Sequence, residues 1–206
     1  MTNQLIPYHH ELAQSKQDFF FFFCDVAAAQ GGETSICLSN RVYEQIKAEF
    51  PDFIEEIGKS QSILTALPID LKYIRTLSAE DDQTSAIGRG WQSTFLTKDA
   101  KVAETSQEKA KELGMTLEWL PNGSLKTISP VLSATRVDPG TGKTSWLNSI
   151  VAAFTGWKDA RNDPTKAVVY GDGTPLNPDV LTRCLAIMDE FSVAFRWEEG
   201  DVLFCG

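Results

Sequence analysis

Five consecutive phenylalanines, Phe19 to Phe23, constrain this chain more than any other stretch. An unbroken aromatic run has neither the 3.6-residue period of an amphipathic helix nor the alternation of a half-exposed strand. It predicts a strand buried on both faces, with its aromatic area spent in a core rather than on stacking a ligand. Unfolded, the same run would promote aggregation. A chain of 206 residues with 42% hydrophobic content can build the necessary core within a single domain.

Three helices are legible. One is expected from Asn40 to Ile57, capped by Ser39 or Asn40, with Val42, Ile46, Phe50 and Phe53 on one side and Pro51 breaking or bending it. A second runs from Lys98 to Leu113, with Thr97 as N-cap and Gly114 as the left-handed stop. The third begins after Asn177, with Pro178 at the first helical position and Leu181, Leu185 and Met188 as its apolar stripe. Strands are predicted at Phe19–Asp25, Ser35–Leu38, Met115–Trp119, Leu125–Ile128, Ser145–Asn148, Ala167–Tyr170, Val193–Trp197 and Asp201–Cys205, mostly bounded by Gly, Pro, Asn or Asp. Strands outnumber helices without regular alternation, which favours a mainly β or α+β domain over a doubly wound sheet.

Charge and cysteine usage narrow the partners. A formal net charge of −9 and a sequence pI near 4.7 argue against a nucleic-acid partner. The longest apolar run, Phe19 to Cys24, is far too short to cross a bilayer, and no basic, then apolar, leader pattern stands at the start. Cys24, Cys37, Cys184 and Cys205 show no C-x-x-C spacing and read as reduced, mostly buried thiols of a cytoplasmic protein. Trp91, Trp146 and Trp157 are expected in core packing rather than in a pocket lining.

Three constellations could carry chemistry. In His9-His10-Glu11 an extended backbone would turn His9 and Glu11 to one face and His10 to the other. An imidazole and a carboxylate, joined by a second imidazole, would make the facial triad that leaves open positions on a non-haem Fe(II); on spacing alone, the triplet reads as a surface pair of histidines beside a glutamate. Asp138-Pro139-Gly140-Thr141-Gly142-Lys143-Thr144 resembles a phosphate-binding loop at first sight. That motif needs a glycine where Val137 stands, and a helix where Ser145-Trp146-Leu147-Asn148 reads as strand, so a hairpin turn is expected instead. Gly31-Gly32-Glu33-Thr34 reads as a glycine turn into a strand.

Taken in order, HHELAQ, FFFFFCDVAAAQGGETSI, GRGWQSTFLT, DPGTGKTSWLNS, TGWKDARNDPTKAVVYGDG and GDVLFCG resemble segments of the taurine dioxygenase-like (TauD/TfdA) family of Fe(II)/2-oxoglutarate-dependent oxygenases, most closely its clavaminate synthase-like branch. The resemblance covers nearly the whole chain. It implies a double-stranded β-helix (jelly roll) with flanking helices. It further implies that His9 and Glu11 are iron ligands, that the Thr34 hydroxyl contacts a carboxylate of 2-oxoglutarate, and that Asn148 contacts cosubstrate or substrate. The DPGTGK turn corresponds to a structural hairpin of the family. The implied reaction couples decarboxylation of 2-oxoglutarate, with O2, to oxidation of a C–H bond in a small molecule.

The chain also departs from the family pattern. His9 and His10 are its only histidines. In the family the second histidine ligand follows the segment matched by GDVLFCG, and the arginine that pairs with the far carboxylate of 2-oxoglutarate lies further on. The stretch Lys59–Leu77 has no obvious counterpart. The resemblance therefore implies a single domain, residues 1–206, that lacks N-terminal and C-terminal portions and leaves the jelly roll incomplete. An inactive isolated chain with exposed sheet edges and a tendency to self-associate is the expectation. The alternative is a catalytically inactive jelly-roll binding or scaffold protein.

Overall fold

The computed structural model describes residues 7–9, 20–58, 71–85, 87–146 and 149–205. In chain order the elements are β1 (Phe20–Phe23), β2 (Thr34–Cys37), α1 (Ser39–Glu49), α2 (Pro51–Gly58), β3 (Leu71–Leu77), α3 (Trp91–Phe95), α4 (Ala100–Glu112), β4 (Thr116–Trp119), β5 (Leu125–Ile128), β6 (Thr135–Val137), β7 (Thr144–Trp146), α5 (Ile150–Gly156), β8 (Val168–Tyr170), α6 (Pro178–Glu190), β9 (Ser192–Phe195) and β10 (Val202–Cys205).

The fold is mixed helix and sheet. One antiparallel sheet has the order β4-β5-β3-β8, and the other strands pair as ribbons: β1 with β10, β2 with β9, β6 with β7. No closed barrel forms among the described residues. Helices, not sheet layers, supply much of the main core. Val42 and Ile46 of α1, Phe53 and Ile57 of α2, Ile150 and Val151 of α5, and Leu181 and Ile187 of α6 converge on Trp146 and Leu71. Each such aliphatic side chain contributes roughly 1.5–3 kcal/mol by leaving water. A smaller core joins Leu77, Trp91, Ala103 and Leu125, with the Trp91 and Trp119 rings edge to face at 5.0 Å. Trp91 and Trp146 are thus core residues, and Trp157 packs half-buried against the main core.

Local signals placed the helices well, with corrections at their ends. Pro51 divides the first helix into α1 and α2, because proline carries no N–H to continue the ladder past Phe50. Its N-cap is Leu38 rather than Ser39 or Asn40, and no side chain caps it. The second helix starts at Ala100, and Asp99 accepts from the Lys101 amide, so Thr97 is not its cap. Gly114 has φ 74° as the stop requires. Asn177 caps α6 by accepting from the Asp179 amide, with Pro178 as its first residue. Strands β3 and β6 and helices α3 and α5 escaped sequence reading. Strand β3 lies at the centre of the four-stranded sheet, within the Lys59–Leu77 stretch whose residues 59–70 fall outside the described part. Helix α5, IVAAFTG, is too apolar on all sides to show a helical period.

The phenylalanine run is the main correction. Phe20–Phe23 is a strand, but among the described residues it pairs with β10 alone and joins no larger sheet. Phe21 is 70% exposed and Phe23 64%, so the expected burial on both faces does not occur. The register sets Phe21 opposite Phe204, ring centroids 4.8 Å apart, and that contact substitutes for part of a core. Phe19 lies outside the described residues.

One acid-sensitive strap joins α1 to α6. Arg183 donates to both Glu49 carboxylate oxygens at 2.8 Å and also to Glu190. Its hydrogen bonds, with that of Gln45, lower the Glu49 pKa from 4.5 to about 2. A carboxylate with a depressed folded-state pKa stabilises the fold fully above its unfolded value and loses that contribution as pH falls through the folded value. Between pH 4.5 and 2 the end of α1 should therefore loosen from α6. Amide hydrogen exchange at Lys47–Glu49 checks this, and Glu49→Gln should largely remove the pH dependence.

Candidate functional site

Thr34 is the first residue of β2, and antiparallel pairing sets it directly opposite Phe195 of β9. Residues two apart on a strand share a face, so Trp197, just past β9, comes to the same side as Phe195 and Thr34. The indole Nε1–H of Trp197 donates to Thr34 Oγ1 at 2.7 Å. Phe195 meets the indole at 4.8 Å between centroids and 61° between planes, which restrains its tilt.

The chain reaches Thr34 through Gly31 and Gly32, at φ 71° and 81°. Both angles lie in the left-handed region, and a Cβ at Gly32 would meet the Ala28 Cβ at 2.8 Å. Only glycine allows the turn to fold back so closely. The loop is fastened to the segment beyond β9: Arg196 donates to the Ala29 carbonyl at 2.8 Å, the Cys24 amide to Asp201 O at 2.9 Å, and the Gly200 amide to Cys24 O at 2.9 Å. Burial first, then the carboxylates of Asp201, Glu199 and Asp25, raise the Cys24 thiol pKa and keep it protonated and inert.

Two shallow pockets meet at Trp197. One, about 390 Å³, is lined by Cys24, Asp25, Gly31, Gly32, Arg196 and Trp197. The other, about 400 Å³ and mostly apolar, lies along Ile36, Val193, Phe195, Val202 and Leu203. Its walls follow from the register, because Ile36 and Val193 are paired on the face that also carries Thr34 and Phe195.

His9 is exposed and lies outside the assigned strands, and the rest of the H-x-E triplet falls outside the described residues. It is anchored through its neighbours: Tyr8 packs on the main core, and Pro7 sits so close to the end of α5 that a Cβ at Gly156 would meet it at 3.0 Å. His9 Nδ1 lies 2.8 Å from the Pro7 carbonyl oxygen. A carbonyl only accepts, so Nδ1 carries the proton, and in the neutral ring the lone pair is on Nε2. Glu11, His10 and Asn148 lie outside the described residues. The fold therefore holds His9 against α5 and Thr34 on the β2–β9 ribbon. Trp197 and Arg196 were not foreseen, since only strand register and a hydrogen bond across 163 positions reveal them.

The DPGTGK segment closes the β6–β7 hairpin. The Asp138 carboxylate accepts from the Gly140 and Thr141 amides at 3.0 and 3.1 Å and from the Thr141 hydroxyl, while Gly142, at φ 69°, donates to the Asp138 carbonyl at 2.8 Å. Amides that would have to face a phosphate are already occupied by an internal anion, and a strand follows instead of a helix. A nucleotide loop is excluded.

Among the described residues no group of three or more His, Cys, Asp or Glu is placed to hold a metal ion; His9 offers an imidazole, and Thr34 a hydroxyl whose oxygen already accepts a hydrogen bond and can donate its own proton. A family model described as taurine catabolism dioxygenase TauD, TfdA family, matches residues 1–205. A clavaminate synthase-like protein of Arabidopsis thaliana is 44% identical over 203 residues, covering 98% of this chain and 58% of the relative. The chain thus spans less than two thirds of that relative's length. With a match along essentially its whole extent and a relative this similar, the chain belongs to the TauD/TfdA family, on its clavaminate synthase-like side.

Proposed function

We propose that this chain forms part of an Fe(II)- and 2-oxoglutarate-dependent dioxygenase that oxidises a small molecule with O2, built on a jelly roll to which other polypeptide contributes. Family membership supports the reaction type. The observation that carries the site is His9, whose Nδ1 lies 2.8 Å from the Pro7 carbonyl oxygen, an outer hydrogen bond of the kind that orients metal-binding imidazoles.

His9 and Glu11 would hold the iron, which supplies the oxidising chemistry when bound. Thr34 would donate to a carboxylate of 2-oxoglutarate, and Asn148 would contact cosubstrate or substrate. The two histidines are neighbours, so a second imidazole on the metal has to come from outside these 206 residues. The apolar groove along Phe195 would keep water from the reacting groups. Among the described residues no helix is long and apolar enough to cross a membrane. We read the net charge of −9 as that of a cytoplasmic enzyme whose partners are neither nucleic acid nor membrane.

Anaerobic addition of Fe(II) and 2-oxoglutarate to the full natural polypeptide should produce a metal-to-ligand charge-transfer band. His9→Ala and Glu11→Ala should each abolish it, whereas the 206-residue chain alone should show none. If the full polypeptide gave no band, the scaffold reading would replace the enzymatic one. A band from the 206 residues alone would contradict the need for an outside ligand.

A further inference from the structure

We infer that Trp197 is a positioning residue for Thr34, setting its hydroxyl as a donor toward a carboxylate; this rests on the reading of Thr34 as a cosubstrate contact. A threonine hydroxyl has one proton and two lone pairs, and its proton can rotate toward whichever acceptor is nearest. The Trp197 indole is donor-only. At 2.7 Å it occupies a lone pair of Oγ1, so the hydroxyl proton has to point elsewhere. An oxygen that accepts a hydrogen bond is also polarised into a better donor. The resulting group favours an anionic acceptor over a ligand that donates, which makes Trp197 a determinant of ligand charge as well as of geometry.

The surroundings hold the indole for this task. Phe195 packs against its face edge-on, and the β2–β9 register fixes the separation of Thr34 from the Trp197 backbone. Arg196, the adjacent residue, grips the Ala29 carbonyl in the loop that leads into Thr34. Both partners of the hydrogen bond are thereby restrained from either side. Trp197 also lines both pockets, so a ligand entering either one meets the residue that orients Thr34.

A double-mutant cycle in the full natural polypeptide tests this, reading the Kd of 2-oxoglutarate by calorimetry with Mn(II) in place of iron. Trp197→Phe keeps the ring against Phe195 and removes the N–H; it should weaken binding about tenfold. Thr34→Ala should weaken it at least as much, and adding Trp197→Phe to Thr34→Ala should change nothing further. Effects that simply add would overturn the inference, as would an unchanged Kd in Trp197→Phe. In protein with native Trp197, the indole N–H resonance should move in Thr34→Ala but stay in place in Thr34→Ser, which also keeps native affinity. An indole resonance indifferent to Thr34→Ala would equally refute the contact, whatever the fate of the Trp197 variant. Absence of 2-oxoglutarate binding by the unmutated protein would reject the reading of the site itself, and this inference with it.

Discussion

Replacing Trp146 by alanine should cost about 3–5 kcal/mol, the largest effect expected from any single substitution in the main core. Trp146 is 1% exposed and sits where α1, α2 and β7 meet, its ring 6.2 Å from that of Phe53. Domains of this size have only about 5–15 kcal/mol in total, so the melting temperature should fall by roughly 10 °C or more. Trp146→Phe discriminates between volume and polarity. The indole Nε1 is buried with no hydrogen-bond partner among the described residues, so its removal relieves an unsatisfied donor while leaving most of the ring. That variant should lose only about 1–2 kcal/mol. Urea denaturation of both proteins measures the difference. Equal, large losses would show that the N–H has a partner after all.

The second large effect concerns association. We propose that the isolated chain self-associates through the β1–β10 ribbon. Phe21 and Phe204 are cross-strand partners, 70% and 54% exposed, and Phe23 and Val202 continue the apolar row at 64% and 60%. Monomeric proteins seldom leave contiguous apolar strands uncovered, and each ribbon presents backbone edges that can pair with another chain. Sedimentation velocity should show species larger than a monomer at micromolar concentration. Replacing both Phe21 and Phe204 with lysine should weaken association by about 2 kcal/mol or more, roughly thirtyfold in Kd. A monomeric native chain across that range would refute the proposal.

Much of the architecture could be read from local chemistry. The N-cap Asn177 followed by Pro178, the Pro51 break and the left-handed Gly114 each act within a few residues, and each appears where expected. The same holds for the Asp138–Thr144 turn, whose carboxylate satisfies amides two and three residues ahead. Thr34 could be singled out through its glycine turn and family resemblance, but not its partner. No local pattern relates position 34 to position 197. Strand β3 was missed for a related reason: LKYIRTL mixes apolar and charged residues, and its strand character comes from being flanked by β5 and β8.

The sequence by itself determined the family, the Pro51 break, the Asn177–Pro178 start of α6, the Gly114 stop and the hairpin that is not a nucleotide loop. Only the tertiary structure decided that the phenylalanine strand faces solvent, that helices build the core around Trp146, and that Trp197 meets Thr34. Turns and caps are settled by hydrogen bonds between neighbours in the chain. Burial and the partner of a distant hydroxyl depend on which strands pair and what lies above them. For Phe20–Phe23 the strand partner among the described residues is β10, which leaves Phe21, Phe22 and Phe23 exposed.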